Sequence, residues 1–139
     1  MTAFLWALLT AGIWGLVPLM EKVGLSASAP TVGVVVRSFG VVLGLVCFGW
    51  MLAPWSALRT LPWSSLALLA GGGFLASFVG QLAFYQALKS GTVSQMTPVA
   101  GAYPLVAALL GWWVLREPLT VSRLIGVVCV VIGVVLLRR

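Results

Sequence analysis

The chain has 139 residues, of which 62% are hydrophobic and 7% are charged, and its formal net charge is +6. Because soluble domains carry about 25% charged residues, this composition excludes a soluble domain and predicts an all-α integral membrane protein. The chain contains no His, which argues against a zinc site or a Ser-His-Asp triad. We therefore expect no catalytic residues, no metal and no cofactor. The basic residues are scattered singly, which argues against a nucleic-acid partner.

Five apolar stretches predict five transmembrane helices, since a bilayer core about 30 Å thick needs roughly 20 apolar residues per helix. We expect them to form a single transmembrane domain over residues 1–139. In chain order, the predicted spans cover residues 3–20, 31–52, 65–88, 93–115 and 120–137. The segment from Pro54 to Pro62 contains two prolines and a Ser, which predicts a connector. Within lipid the backbone must satisfy its own polar groups, so even the Val-rich last stretch is predicted as a helix.

An odd number of spans places the two termini on opposite sides of the membrane. The basic residues divide into Arg59, Arg116 and Arg123 on the N-terminal side and Lys22, Arg37, Lys89, Arg138 and Arg139 on the other. The difference, 5 − 3 = 2, is a weak positive-inside signal and permits insertion in both orientations. An oppositely inserted second copy would generate an inverted repeat, which is a recurrent architecture of secondary transporters.

Glycines recur at helical spacing in several of the predicted spans. Gly40 and Gly44 form a GxxxG pattern, and Gly126 and Gly133 lie seven residues apart on one face of the fifth span. Small residues at such spacing let helix backbones approach closely. We interpret the first pair as packing within the bundle. Because a terminal helix has a free face, we predict a homodimer seam at Gly126 and Gly133.

Several motifs resemble one family of membrane proteins over nearly the whole chain. WGLVPLMEKVG in the first span resembles the opening of the EamA-type half-transporters of the drug/metabolite transporter superfamily. FYQALKSG, the Met-Thr-Pro that follows, the REPLT turn and the Gly-spaced last helix are similar to the end of the family's five-helix unit. Full-length members have ten helices in two inverted halves, and this chain resembles one half.

The resemblance implies secondary transport of small metabolites by alternating access. It also implies a small-molecule substrate and contact with membrane lipid. From the odd number of spans and the glycine seam we expect a homodimer, which is antiparallel if both orientations occur. We expect the protein in the cell (inner) membrane of a bacterium or archaeon. The alternative is a non-transporting accessory subunit that packs against a larger membrane complex. Polar residues aligned toward one cavity would favour transport, whereas a smooth apolar surface would favour the accessory subunit.

The first candidate site residues are charged. Glu21 is one of only two acidic residues in the chain, and it follows Pro18 and the first apolar run, where we expect the helix to end. It either anchors that helix end at the interface or points into a translocation cavity. Arg37 lies about two turns into the second span, where it either snorkels to the interface or faces protein and water. Since both lie at similar depth, we predict that they share one polar region at the mouth of a cavity.

The other candidates are polar or aromatic. Gln81 and Tyr85 are four residues apart and share one face of the third span. Such side chains need either interhelical hydrogen bonds or a wet cavity, and we predict that both line the cavity. Tyr103 in the fourth span is a further candidate for the cavity wall. Trp14 in the first span either stacks on a substrate or packs within the bundle.

Overall fold

The computed structural model describes residues 3–49, 51, 55–118 and 120–137, and within these ranges the chain is helical with no strand. The helices are α1 (Ala3–Ala27), α2 (Pro30–Gly49), α3 (Trp55–Thr60), α4 (Trp63–Ser90), α5 (Val93–Leu115) and α6 (Val121–Leu137). Of these, α1, α2, α4 and α5 are long and apolar enough to cross a membrane, and α6 is a shorter apolar helix. The predicted fold class, an all-α integral membrane protein, is confirmed.

The first helix is longer than predicted. We expected it to end near Met20, but the α-helix continues to Gly24, and a 3₁₀ turn carries it to Ala27. Pro18 lies inside the helix and is buried without ending it. A Pro is tolerated in such a helix because neighbouring groups satisfy the backbone carbonyl that it frees. Glu21 therefore lies within α1, about one turn before the end of its α-helical part, and not beyond it.

The ends of the remaining helices follow local signals. Pro30 occupies the first turn of α2, where its fixed φ suits a helix start and its missing N–H costs nothing. The predicted connector contains the short helix α3, while its first residue, Pro54, lies outside the described residues. Helix α5 is interrupted at Gly101, three residues after Pro98, and resumes at Tyr103 with Pro104 in its first turn.

Two helices contain a wider π-helical turn, at Leu45–Gly49 in α2 and at Leu75–Gly80 in α4. The second of these turns lies directly before Gln81. Such turns place one extra residue in the helix and are frequent at functional sites. In α4 the turn is followed by the last helical segment, which carries Gln81 and Tyr85.

The chain divides into two compact units, residues 1–89 and residues 90–139. Among the described residues of the first unit, the most deeply buried apolar side chains are Leu25, Val34, Tyr85 and Leu88. They come from the end of α1, the start of α2 and the end of α4, so the core of this unit lies at one end of the helices. The second unit contains α5 and α6. That residues 1–139 form a single transmembrane domain stays a prediction.

Candidate functional site

The site is centred on the Glu21 side chain, which is only 10% exposed. Its Oε1 accepts hydrogen bonds from Gln81 Nε2 and from the Tyr85 hydroxyl, each at 2.9 Å. Arg37 Nε lies 3.5 Å from the same oxygen and forms an ion pair with the carboxylate. Three side chains from two other helices thus converge on one carboxylate oxygen.

The alternating direction of the helices explains why these residues meet. A chain that crosses back and forth places the end of α1, the start of α2 and the end of α4 at one end of the unit. Glu21 is three residues before Gly24, and Arg37 is seven residues after Pro30. Gln81 and Tyr85 lie in the last ten residues of α4, one turn apart and on one face. Each side chain therefore lies a similar distance from that end.

The second carboxylate oxygen of Glu21 is the unusual feature of the site. Oε2 is buried and has no hydrogen-bond partner among the described residues. Burying a polar atom without a partner costs free energy, and a charged one costs more. Oε2 is therefore the atom at which a proton, or a hydrogen-bond donor of a ligand, would lower the free energy of the site.

A cavity of about 510 Å³ adjoins Glu21. Its walls are mostly apolar, and its charged and polar lining residues are Glu21, Ser28, Arg37 and Tyr85. The lining residues are Val17, Met20, Glu21, Gly24, Leu25, Ser28, Val32, Gly33, Val36, Arg37 and Tyr85. A mainly apolar cavity with a few convergent polar groups is the usual form of a small-molecule site. Both charge signs are present among the lining residues, and the Arg37 side chain is 35% exposed.

Two lysines connect the ends of α1 and α4 beside this site. Lys22 donates a hydrogen bond from Nζ to the Leu88 carbonyl. In the opposite direction, Lys89 donates to the carbonyls of Ser28 and Leu25, the latter at 3.4 Å. Carbonyls at helix ends lack intrahelical partners and carry partial negative charge, so cations there are stabilising. Each lysine therefore caps the end of the other helix. The sequence indicated only that both lysines lie near span ends.

Two further candidates are Trp14 and Tyr103, whose side chains are each 59% exposed. Trp14 is not among the residues that line the cavity beside Glu21. Tyr103 belongs to the second unit. At Gly126 and Gly133, an added Cβ would meet no described atom within 4 Å outside the local backbone of the helix, so both positions have space for a Cβ among the described residues. The dimer seam there stays a prediction.

The second unit has a charged pair of its own. Arg123 Nη1 lies 3.7 Å from Glu117 Oε2 and donates a hydrogen bond of 3.0 Å to the Pro118 carbonyl. Both charged side chains are 55% exposed. An apolar groove of about 660 Å³ between α5 and α6 adjoins this pair. The exposure of both partners is typical of a pair that supports the turn between two helices.

These helices and the buried carboxylate fit an integral membrane protein that handles small molecules. A sequence profile of the EamA-like transporter family matches residues 1–139. The chain therefore belongs to the EamA-like transporter family, part of the drug/metabolite transporter superfamily. Members of this family are generally not enzymes, and their class implies a small-molecule substrate and a lipid environment.

The chain is also similar to two relatives of undetermined function. The chain is 26% identical over 132 residues to an uncharacterised transporter encoded in the cobO 3′ region of a Sinorhizobium species, covering 95% of this chain and 93% of the relative. It is 36% identical over 59 residues to an uncharacterised protein of Methanocaldococcus jannaschii. The latter alignment covers 42% of this chain and 43% of the archaeal protein, less than half of its length. No solved structure matches the chain significantly.

Proposed function

We propose that the protein is a secondary transporter of small metabolites that works as a homodimer by alternating access, without enzymatic activity of its own. We place it in the cell (inner) membrane of a bacterium or archaeon. Membership of the EamA-like family supports the transport class. The observation that carries the proposal is the nine-tenths buried Glu21 beside a cavity, with all its partners on Oε1 and no hydrogen-bond partner for the buried Oε2 among the described residues.

The cavity suggests a zwitterionic or anionic substrate with an apolar part. The Arg37 guanidinium forms an ion pair with the Glu21 carboxylate, with Nε 3.5 Å from Oε1. An anionic group of the substrate would compete for the partly exposed guanidinium. The apolar part would lie against Val17, Val32 and Val36. Binding would thus exchange one ion pair for another, which avoids leaving an unpaired charge in a poorly solvated site.

Exchange of this kind would couple substrate binding to the state of Glu21. When the substrate draws Arg37 away, the carboxylate loses its cationic partner and keeps the Gln81 and Tyr85 donors. A proton on the open Oε2 would then neutralise the carboxylate. The groups that face Glu21 in this step are Arg37 from α2 and Tyr85 and Gln81 from α4, while Lys22 and Lys89 neutralise the nearby helix ends.

We also propose that a second, oppositely inserted copy completes the transporter. The homodimer seam would lie on the open face of α6 at Gly126 and Gly133. Paired five-helix units would produce the inverted-repeat arrangement from which alternating access follows. In such a dimer, Trp14 and Tyr103 remain predictions for other parts of the translocation pathway.

The direct test is uptake by purified protein in liposomes against a panel of labelled anionic, zwitterionic and neutral metabolites. The comparison is wild type with Glu21→Gln and with the matched control Glu117→Gln, which changes the chain's other carboxylate. Uptake that depends on Glu21 but not on Glu117 would support the proposal. Absence of uptake of every metabolite by wild type, combined with co-purification in a larger membrane complex, would instead identify an accessory subunit.

A further inference from the structure

Gly33 lies in α2 where the helix meets the ring of Tyr85 and the side chain of Leu25. A Cβ at this position would lie 2.7 Å from Leu25 Cδ2 and 2.8 Å and 3.0 Å from Tyr85 Cε2 and Cδ2. These separations are well below the 3.5–4.0 Å of favourable carbon contacts. The ring of Tyr85 therefore rests against the backbone of α2 only because residue 33 has no side chain.

Neither neighbour has room to move away while the site stays as it is. Tyr85 and Leu25 are each 3% exposed and belong to the core at this end of the unit. The Tyr85 ring is also held at its far end, where the hydroxyl donates to Glu21 Oε1 at 2.9 Å. Since a tightly packed interior resists even one added methyl group, a side chain at position 33 would displace the ring and its hydroxyl together.

Gly40 provides an internal comparison. It lies seven residues further along α2, close to the same face, and an added Cβ there would meet no described atom within 4 Å. Within the described part of α2, close approach is thus specific to Gly33 and is not shared by the next glycine on that face. The requirement for Gly at position 33 comes from the Tyr85 ring and Leu25, and not from general helix packing.

We propose that Gly33 is a positioning residue for the Glu21 site. By letting the Tyr85 ring lie against α2, it directs the phenol hydroxyl to Oε1. Tyr85, Gln81 and Arg37 then all contact Oε1, while Oε2 has no hydrogen-bond partner among the described residues. The inference rests on the proposed function, because the open oxygen matters only if Glu21 takes part in binding. Its structural content, the dependence of the Tyr85–Glu21 hydrogen bond on Gly33, can be measured without a transport assay.

The test uses dicyclohexylcarbodiimide, an apolar reagent that modifies protonated carboxyl groups. The full-length protein is labelled in membranes, and the rate of labelling at Glu21 is measured by mass spectrometry. The variants are Gly33→Ala, Tyr85→Phe, the double variant and the control Gly40→Ala. Tyr85→Phe removes only the hydroxyl, and the loss of one hydrogen bond changes an equilibrium about fivefold. We expect Tyr85→Phe and Gly33→Ala each to change the labelling rate by about that factor, and Gly40→Ala to leave it unchanged.

The double variant separates positioning from simple packing. If Gly33→Ala has already moved the hydroxyl away, then Tyr85→Phe in that background has no further effect. The proposal would be overturned if Gly33→Ala were labelled at the wild-type rate. It would also be overturned if the two substitutions changed the labelling rate of the double variant by the product of their separate effects. If Gly33→Ala does not fold, Leu25→Ala with Gly33→Ala removes the Leu25 clash and keeps the contact with the ring. Failure of that variant to fold would also overturn the proposal, because Gly33 would then serve general packing.

The outcome is independent of the uptake experiment. Lack of uptake by the wild-type protein would count against the proposed function. The labelling rates of the variants would still test whether the Tyr85–Glu21 hydrogen bond depends on Gly33. Conversely, multiplicative labelling effects in a protein that transports would overturn the role of Gly33 alone.

Discussion

The Tyr85 hydroxyl donates a 2.9 Å hydrogen bond to Glu21 Oε1 across 64 positions of the sequence. The bond connects the last segment of α4 to the last turns of α1. With Gln81 and Arg37 it directs three side chains to one oxygen and leaves Oε2 without a partner among the described residues. A carboxylate used only to connect helices would gain from sharing its donors between both oxygens, so the asymmetry favours a binding role.

Glu21→Gln is expected to reduce uptake and to flatten its dependence on pH. The substitution keeps the size of the side chain and removes its charge and its ability to bind a proton, while Arg37 loses its carboxylate partner. The measurement is the initial rate of uptake in proteoliposomes across a pH series. Glu117→Gln, which changes an exposed carboxylate, should keep the wild-type profile. An unchanged profile in Glu21→Gln would show that Glu21 only anchors the helix end.

Arg37→Ala is expected to impair anionic substrates more than neutral ones. Hydrogen bonds to charged groups contribute about 1.5–3 kcal/mol, so the apparent affinity for an anionic substrate should fall roughly tenfold or more. Competition for uptake by unlabelled metabolites provides the measurement. The control Arg59→Ala removes an exposed cation from α3 and should have no such selectivity. Equal loss for anionic and neutral substrates would contradict a role of Arg37 in binding charge.

Lys22→Met and Lys89→Met are each expected to lower the thermal stability of the protein in detergent. Each substitution keeps an apolar side chain of similar length and leaves helix-end carbonyls without their cationic partner. For Lys22, which is partly buried, we expect a cost of about 1–2 kcal/mol. Lys89 is exposed, and its loss should cost less. Thermal unfolding midpoints provide the comparison, with Arg59→Met as control. Midpoints equal to that of the control would indicate that the lysines do not stabilise the contact of α1 with α4.

Replacing both Gly126 and Gly133 with Leu is expected to weaken dimerisation without unfolding the chain. An added Cβ at either position would meet no described atom within 4 Å outside the local backbone of the helix, so we expect this face of α6 to have room for the larger side chains. A partner helix packed closely against this face would not. Cross-linking yield in detergent measures the dimer, and circular dichroism checks helicity. The matched control replaces Gly12 and Gly15, which are also open. An equal cross-linking yield in both double variants would place the seam elsewhere.

Transmembrane helices were predictable from the sequence because their cause is local. The length of each apolar stretch, its bounding charges and the need to pair the backbone in lipid act within single segments. The fourth predicted span, residues 93–115, coincides with α5. The predicted end of the first helix, near Met20, was wrong because the charges of Glu21 and Lys22 are typical of residues at a membrane interface. Their charges are satisfied by α2 and α4, so the helix continues past them.

The sequence alone also indicated that Glu21 and Arg37 lie at similar depth, because depth follows from the distance of a residue to the end of its helix. The tertiary structure decided which groups meet there. It brings α4, which carries Gln81 and Tyr85, against α1, so that both side chains donate to Glu21 Oε1 together with Arg37. It also leaves no space for a side chain at position 33, which is a glycine. These features depend on the rotation and close approach of helices that are distant in sequence. Both are properties of packing between segments, and no single segment encodes them.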